Sequence, residues 1–208
     1  VFLKSAANEA DFPPDTGGEV AFVGRSNSGK STALNLIAGA KIARVSKTPG
    51  RTQLINFFTF GEGRLVDLPG YGFARVAADV QARWRAVLER YLRERASLVG
   101  LMLTVDIRRG LTRLDDQLLR WLEAHRALPL IVLLTKADQL GRGAARDAER
   151  RIASSLDRNA RVTRFSALNE EGVATARAWL DEWLAGAKIK KPRVRDSGDA
   201  PGASTPAG

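Results

Sequence analysis

The chain has no cysteine among its 208 residues. Disulfides, thiolate metal sites and cysteine nucleophiles are therefore excluded. A single histidine, His125, makes a zinc centre a poor fit. It falls on an amphipathic helical stretch, as a surface or core-edge residue does, rather than as a catalyst. Long apolar runs are also missing. The longest, Leu98 to Val105 and Leu128 to Leu134, are far short of the ~20 residues that a spanning helix needs. With no secretory signal pattern or lipidation motif either, a cytoplasmic protein with no membrane span is expected. Acidic residues are the minority, 23 against 33 Lys and Arg, and the formal net charge is +10. That excess favours anionic partners, chiefly nucleic acid or an anionic membrane surface.

What is present is ordinary for a folded core: 44% hydrophobic and 27% charged residues. Glu19 to Gly24 reads as a short buried strand running into a glycine. Lys30 to Ala38 reads as a helix closed by Gly39. Gln53 to Phe60 and Arg64 to Asp67 read as strands joined by a turn at Gly61-Glu62-Gly63. Val80, Trp84, Val87, Leu88, Tyr91 and Leu92 recur at helical spacing between Ala77 and Ala96. Leu98 to Asp106 and Leu130 to Thr135 are continuous apolar strands, as in a sheet covered on both faces. A helix starts at Thr112, with Asp115 as capping-box partner. Another runs from Gly143 to Leu156. A strand at Arg161 to Phe165 precedes a last helix carrying Val173, Ala176, Trp179, Leu180, Trp183 and Leu184. This alternation predicts an α/β domain over residues 1–187, with a mostly parallel six-stranded sheet and helices on both faces. The remainder, 188–208, is basic (KIKKPRVR) and then small and polar. It lacks the apolar content to pack and is expected to be disordered.

Three segments carry chemistry. Gly24-Arg25-Ser26-Asn27-Ser28-Gly29-Lys30-Ser31 is a full G-x-x-x-x-G-K-[ST] between a strand and a helix. It is a phosphate-binding loop, so the domain is a three-layer P-loop NTPase sandwich. Lys30 can reach the β- and γ-phosphates, the Ser31 hydroxyl can bind Mg²⁺, and the following helix presents its positive end to the same anion. Asp67-Leu68-Pro69-Gly70 ends a strand. Its carboxylate can hold Mg²⁺, and the Gly70 N–H can contact the γ-phosphate. Thr135-Lys136-Ala137-Asp138 ends another. The Asp138 carboxylate can accept both the N1–H and the exocyclic amine of guanine, which adenine does not present, while the Lys136 stem covers the base. Ser166-Ala167, past the last strand, can contact the guanine oxygen through backbone amides. Ser46 to Gln53 is a polar, glycine- and proline-containing loop. Thr52 is its candidate second Mg²⁺ hydroxyl, with Thr48 competing.

In order, GRSNSGKS, SKTPGRTQLINFF, VDLPGYGFA and TKAD resemble the EngB family of bacterial ribosome-biogenesis GTPases, in the translation-factor-like branch of small GTPases. The resemblance runs from Phe2-Leu3-Lys4-Ser5 through the last helix. It implies GTP and GDP binding, Mg²⁺, association with the large ribosomal subunit or its precursor, and a need for normal division and septation. By position it assigns Gly24 through Ser31 to phosphates. Gly50, Arg51, Thr52, Gln53 and Leu54 fall in a first switch, with Thr52 on Mg²⁺. Asp67 through Gly70 fall at the γ-phosphate, and Thr135 through Asp138 with Ser166 and Ala167 at guanine. Thr135 stands where the wider GTPase pattern has Asn.

Tyr71 occupies the slot in which Ras-like enzymes place a water-orienting glutamine. Slow intrinsic turnover is therefore expected, with Lys30, Thr52 and Gly70 as catalytic candidates. K⁺ at Asn27, or a group from the ribosomal particle, are the candidates for the missing charge stabilisation. Arg75, Arg83, Arg85, Arg90, Arg93 and Arg95 form a candidate docking face on the helix after DLPG. The alternative is a solvated face paired with Asp79, Glu89 and Glu94. A monomer that binds rRNA, not DNA, is the accompanying expectation. Competing readings are a nucleotide-sensing RNA-binding module with negligible hydrolysis, and a P-loop ATPase or nucleotide kinase.

Overall fold

The computed structural model describes residues 1–43, 54–71, 78–156 and 159–187, with side chains left aside at 78–85. Thr48, Gly50, Arg51, Thr52, Gln53, Gly72, Arg75 and the tail from Lys188 lie outside the described residues, as do the side chains of Arg83 and Arg85. In chain order the elements are β1 (Phe2–Ala6), β2 (Glu19–Gly24), α1 (Lys30–Ala38), β3 (Ile55–Phe60), β4 (Gly63–Asp67), α2 (Ala78–Glu94), β5 (Leu98–Asp106), α3 (Arg113–His125), β6 (Leu130–Thr135), α4 (Arg142–Ser154), β7 (Arg161–Arg164) and α5 (Val173–Ala187). The sheet order is β1-β3-β4-β2-β5-β6-β7. β3 pairs antiparallel with both β1 and β4, and every other pairing is parallel. The sheet thus has seven strands, not the six expected. β1 escapes the pattern because Phe2 and Leu3 are exposed and only Ala6 is buried.

Successive residues of the central strands feed opposite faces, the period-two signature of a pleated strand. Val20, Phe22, Met102, Ile131 and Leu133 pack with Leu34 and Ile37 of α1 and Ala176 and Leu180 of α5. Ala21, Val23, Leu101, Leu103, Val132 and Leu134 pack with Tyr91 and Leu92 of α2, Leu122 of α3 and Ile152 of α4. Helices therefore cover both faces. Two local signals hold as read. Gly39 closes α1 at φ 68, where an L side chain would be strained. Thr112 caps α3 in a box with Asp115, whose carboxylate accepts the Thr112 N–H at 2.7 Å.

The edge opposite the strand exits is held by a buried ion cluster. Glu19 accepts Arg64 Nε at 2.7 Å, Arg95 Nη2 at 2.7 Å, Arg95 Nε at 3.0 Å and the Tyr91 hydroxyl at 3.0 Å. Phe12 lies 5.6 Å from the Arg95 guanidinium, and Asp15 accepts the Ala96 and Ser97 amides. This locks the chain before β2 to the end of α2. It leaves the strand exits as the open edge, where ligands of parallel α/β sheets bind.

Candidate functional site

The phosphate loop leaves β2 at Gly24, and its shape is set from behind by β5 and β6. A Cβ on Gly24 would lie 2.2 Å from Thr104 Oγ1 and 2.6 Å from Ser28 Oγ, so glycine is required by close approach. The Ser28 and Thr104 hydroxyls are 2.7 Å apart, both buried. The Thr135 hydroxyl donates to the Ser28 carbonyl at 2.6 Å. Gly29 is the N-cap of α1, and Lys30 and Ser31 open the helix. Lys30 Nζ pairs with Asp67 Oδ1, the last residue of β4. The Ser31 hydroxyl and the Asp67 carboxylate, flanking Lys30, are hard oxygen donors of the kind Mg²⁺ takes.

The turn after β4 lies along this loop. Leu68 N–H donates to the Phe22 carbonyl at 3.1 Å. Tyr71 and Arg25 pair as a short bridge, with Tyr71 N–H on the Gly24 carbonyl and Ser26 N–H on the Tyr71 carbonyl, both 3.3 Å. Pro69 is buried, and a Cβ on Gly70 would stand 3.3 Å from Ser26 N. Gly70 is thus brought against the phosphate loop. Leu54, the described end of the candidate first switch, is exposed.

The Tyr71 hydroxyl donates to Asp115 on the first turn of α3. Burial, and then the Asp115 carboxylate, push its pKa far above the phenol range, so it remains a neutral donor. The side chain in the water-positioning slot is therefore committed to α3.

At the base motif, Lys136 adopts φ 60 and opens a short 3-10 turn, Ala137–Gln139, that carries Asp138. Ala137 N–H donates to the Phe165 carbonyl at 3.1 Å. Ser166 is buried, its hydroxyl donates to Asp138 Oδ1 at 2.5 Å, and Ala167 is exposed beside it. Ser166 thus positions the Asp138 carboxylate by its side chain, a contact that backbone reasoning about the tripeptide misses. Lys136 Nζ donates to the Asn27 carbonyl at 3.0 Å and to Asp106 Oδ2 at 2.8 Å, which joins base motif to phosphate loop. Asn27 is held at φ 63.

Asp106 is a residue of the site that the sequence motifs did not point to. It ends β5 and takes a two-point contact from Arg108, at 2.8 Å and 2.6 Å. Arg108 and then Lys136 hold its carboxyl far below the usual range, against the opposing effect of burial. The available signal was its place at the end of an apolar strand, the same place as Asp67. A cavity of about 120 Å³ lies between the loop and α3, with Arg25, Asn27, Arg109, Thr112 and Lys136 in its lining.

Of the arginine face expected on and beside α2, the three members whose side chains are described are all paired. Arg90 pairs with Glu9 and Glu94, Arg93 with Glu94, and Arg95 is buried on Glu19. Arg95 is therefore a core residue and not part of a docking face.

A family model described as 50S ribosome-binding GTPase matches residues 19–136. The probable GTP-binding protein EngB of Methylococcus capsulatus is 48% identical over 189 residues, 88% of this chain and 90% of that protein. Its counterpart in Nitrosococcus oceani is 50% identical over 188 residues, 88% of this chain and 94% of that protein. Among solved structures, a probable GTP-binding protein engB aligns with a TM-score of 0.66 and 22% identity, over 81% of this chain and 100% of that chain. Era in complex with MgGDPNP and a 16S ribosomal RNA fragment gives 0.65 and 20%, over 81% and 57%. Those two likenesses are of fold, while the sequence matches extend across the phosphate loop, the DLPG turn and the base motif. The chain belongs to the EngB family of GTP-binding proteins, a GTPase family.

Proposed function

We propose that this chain is a GTP-dependent switch in large-subunit ribosome assembly, slow to hydrolyse GTP unaided, and through that role needed for normal division and septation. One observation carries the nucleotide half of this reading: Lys30, Asp67, Gly70 and Asp138 meet at one sheet edge. Lys30 and the loop amides would hold the phosphates, and Gly70 N–H the γ-phosphate. Asp138, steadied by Ser166, would accept from guanine. Ser31 and Asp67 would hold Mg²⁺, with Thr52 as the further hydroxyl, and the ion would supply positive charge at the phosphates.

Slow turnover is supported by Tyr71, whose hydroxyl is engaged by Asp115. K⁺ beside Asn27 would add the missing charge. Equal turnover in KCl and NaCl at matched ionic strength, unchanged by Asn27→Ala, would remove that part. The ribosomal half is tested by co-sedimentation with large-subunit precursors. Retention with a GTP analogue and release with GDP is expected. Equal behaviour with both nucleotides would refute the switch. ATP competing as well as GTP for the site would refute the base assignment. A single-turnover rate indistinguishable from zero, with or without ribosomal particles, would favour the nucleotide-sensing module.

A further inference from the structure

β5 and β6 are neighbours, with Asp106 opposite Thr135. α3 and α4 follow them and bury their apolar sides in one core. The first turns of both helices therefore rise from the edge that carries the nucleotide motifs. Arg109 lies in the turn between β5 and α3, Arg113 opens α3, and Arg142 and Arg146 belong to the first two turns of α4. Arg142 and Arg146 are four residues apart and share a ridge of the helix. All four are exposed, and none has an acidic partner among the described residues.

Exposed Arg120, Arg151 and Arg177 have no carboxylate partner among the described residues either, but they lie on later turns of α3 and α4 and on α5, so the four are set apart by their place at the nucleotide edge. Arg64, Arg90, Arg93, Arg95, Arg108, Arg150, Arg161 and Arg164 are each paired with a carboxylate. On the α3 turn the exposed acid is Asp116, since Asp115 is buried and bound by Thr112 and Tyr71. The positive rim runs into the cavity beside the phosphate loop. There Arg25 Nε is buried with no hydrogen-bond partner among the described residues.

We propose that Arg109, Arg113, Arg142 and Arg146 form the surface on which an RNA phosphate backbone docks, at the rim of the nucleotide site and not at Arg90 and Arg93 of α2. Unpaired guanidinium groups on a rigid helical frame suit phosphate oxygens, which they bind in a planar, two-point mode. On α2 the exposed cations described already have carboxylate partners, so each new phosphate contact there would first break an ion pair. The surface rests on the ribosomal reading above and names the face that serves it. Arg108 sits between this rim and the base motif through Asp106, so RNA and guanine would be bound through adjoining groups.

The test uses the full chain with a GTP analogue and large-subunit rRNA, titrated across salt concentration. Arg113→Ala/Arg142→Ala/Arg146→Ala should lower affinity by on the order of tenfold or more. It should flatten the log–log salt slope by roughly two to three, at about 0.7–0.9 for each phosphate that is no longer neutralised. Its GDP affinity and melting temperature should match wild type. Arg90→Ala/Arg93→Ala should keep the wild-type slope. A triple variant with wild-type affinity and slope, or an α2 variant that weakens as much, overturns the surface while leaving the ribosomal reading intact. Retention of the wild-type chain on particle proteins after ribonuclease digestion would assign the face to a protein and also overturn it. A wild-type chain that binds no rRNA with either nucleotide would overturn both.

Discussion

Thr135→Val would remove one hydroxyl from behind the phosphate loop and change little else in shape. Thr135 and Ser28 are both buried, and the hydroxyl donates to the Ser28 carbonyl at 2.6 Å while lying 3.1 Å from that of Val105. The variant leaves the Ser28 carbonyl without this donor, in a place water does not reach. A buried acceptor stripped of its partner costs about 1–3 kcal/mol. If that cost falls on the loop in its nucleotide-holding shape, affinity drops by roughly fivefold to a hundredfold, at about 1.4 kcal/mol per decade. If it falls on the fold as a whole, the melting temperature drops by roughly 2–4 °C per kcal/mol for a domain of this size. Titration with a fluorescent GDP analogue and a thermal melt separate the two. Thr135→Ser keeps the hydroxyl and should hold both quantities near wild type. A Thr135→Val protein with wild-type affinity and wild-type melting temperature would refute the claim that this hydroxyl shapes the loop.

Four further outcomes are expected. Gly24→Ala forces its Cβ against Thr104 and Ser28, at about 1–3 kcal/mol of overpacking; GDP binding should weaken sharply, and an unaltered Kd would contradict the close-approach reading. Glu19→Gln leaves the buried Arg95 short of its counter-charge and should cost about 3–5 kcal/mol in denaturant unfolding; a loss below about 1 kcal/mol would show the cluster to be dispensable. Asp106 has a folded pKa below its unfolded value of about 3.9, so its stabilisation is complete above that pH and fades as pH falls through the folded value. The stability gap between wild type and Asp106→Asn should accordingly be constant near neutrality and close in strong acid, and a gap that instead widens there would reverse the assignment. Tyr71→Phe removes the donor to Asp115 Oδ1 but should leave the single-turnover rate unchanged, and a tenfold fall would place the phenol in the chemistry.

Much of the fold was legible because its signals are local. α1 runs from Lys30 to Ala38 as the loop-to-helix motif and Gly39 dictate, and the capping box at Thr112 starts α3 where it was expected. Elements lacking a sharp stop signal shifted by a residue or two. The helix expected at Gly143–Leu156 spans Arg142–Ser154, and the strand expected to include Phe165 ends at Arg164. β1 was invisible for a physical reason. It is an edge strand with one paired side, and FLKSA shows neither alternation nor a continuous buried run. Of the partners of the described arginines on and beside α2, Glu94 was legible from helical spacing, but charge spacing along a helix does not disclose partners from elsewhere. Glu9 and Glu19 lie far from α2 in the chain and reach it only through the fold.

The site itself was legible in its ligand-facing groups and obscure in the groups behind them. A parallel sheet delivers the first polar residue after each apolar strand to one crevice. Asp67 and Asp106 end consecutive parallel-running strands in this way, and Thr135 ends the next. Asp67 was found because the following Pro-Gly makes a recognisable turn, whereas Ile-Arg-Arg after Asp106 makes no motif. Nor could sequence say where Lys136 ends. Its stem was assigned to the base face, and its ammonium is anchored between Asp106 and the Asn27 carbonyl, which leaves the stem free for that face. Thr135 carries the same lesson. Measured against an N-K-x-D pattern it is a departure. Against the Ser28 carbonyl it is a donor of the right length, bonded to the same loop that Lys136 grips at Asn27. The base motif thus braces the phosphate loop at two adjacent carbonyls, one through a hydroxyl and one through an ammonium. For that reason a change at Thr135 should be felt first in nucleotide affinity, and not in the choice between guanine and adenine, which is the role proposed for Asp138.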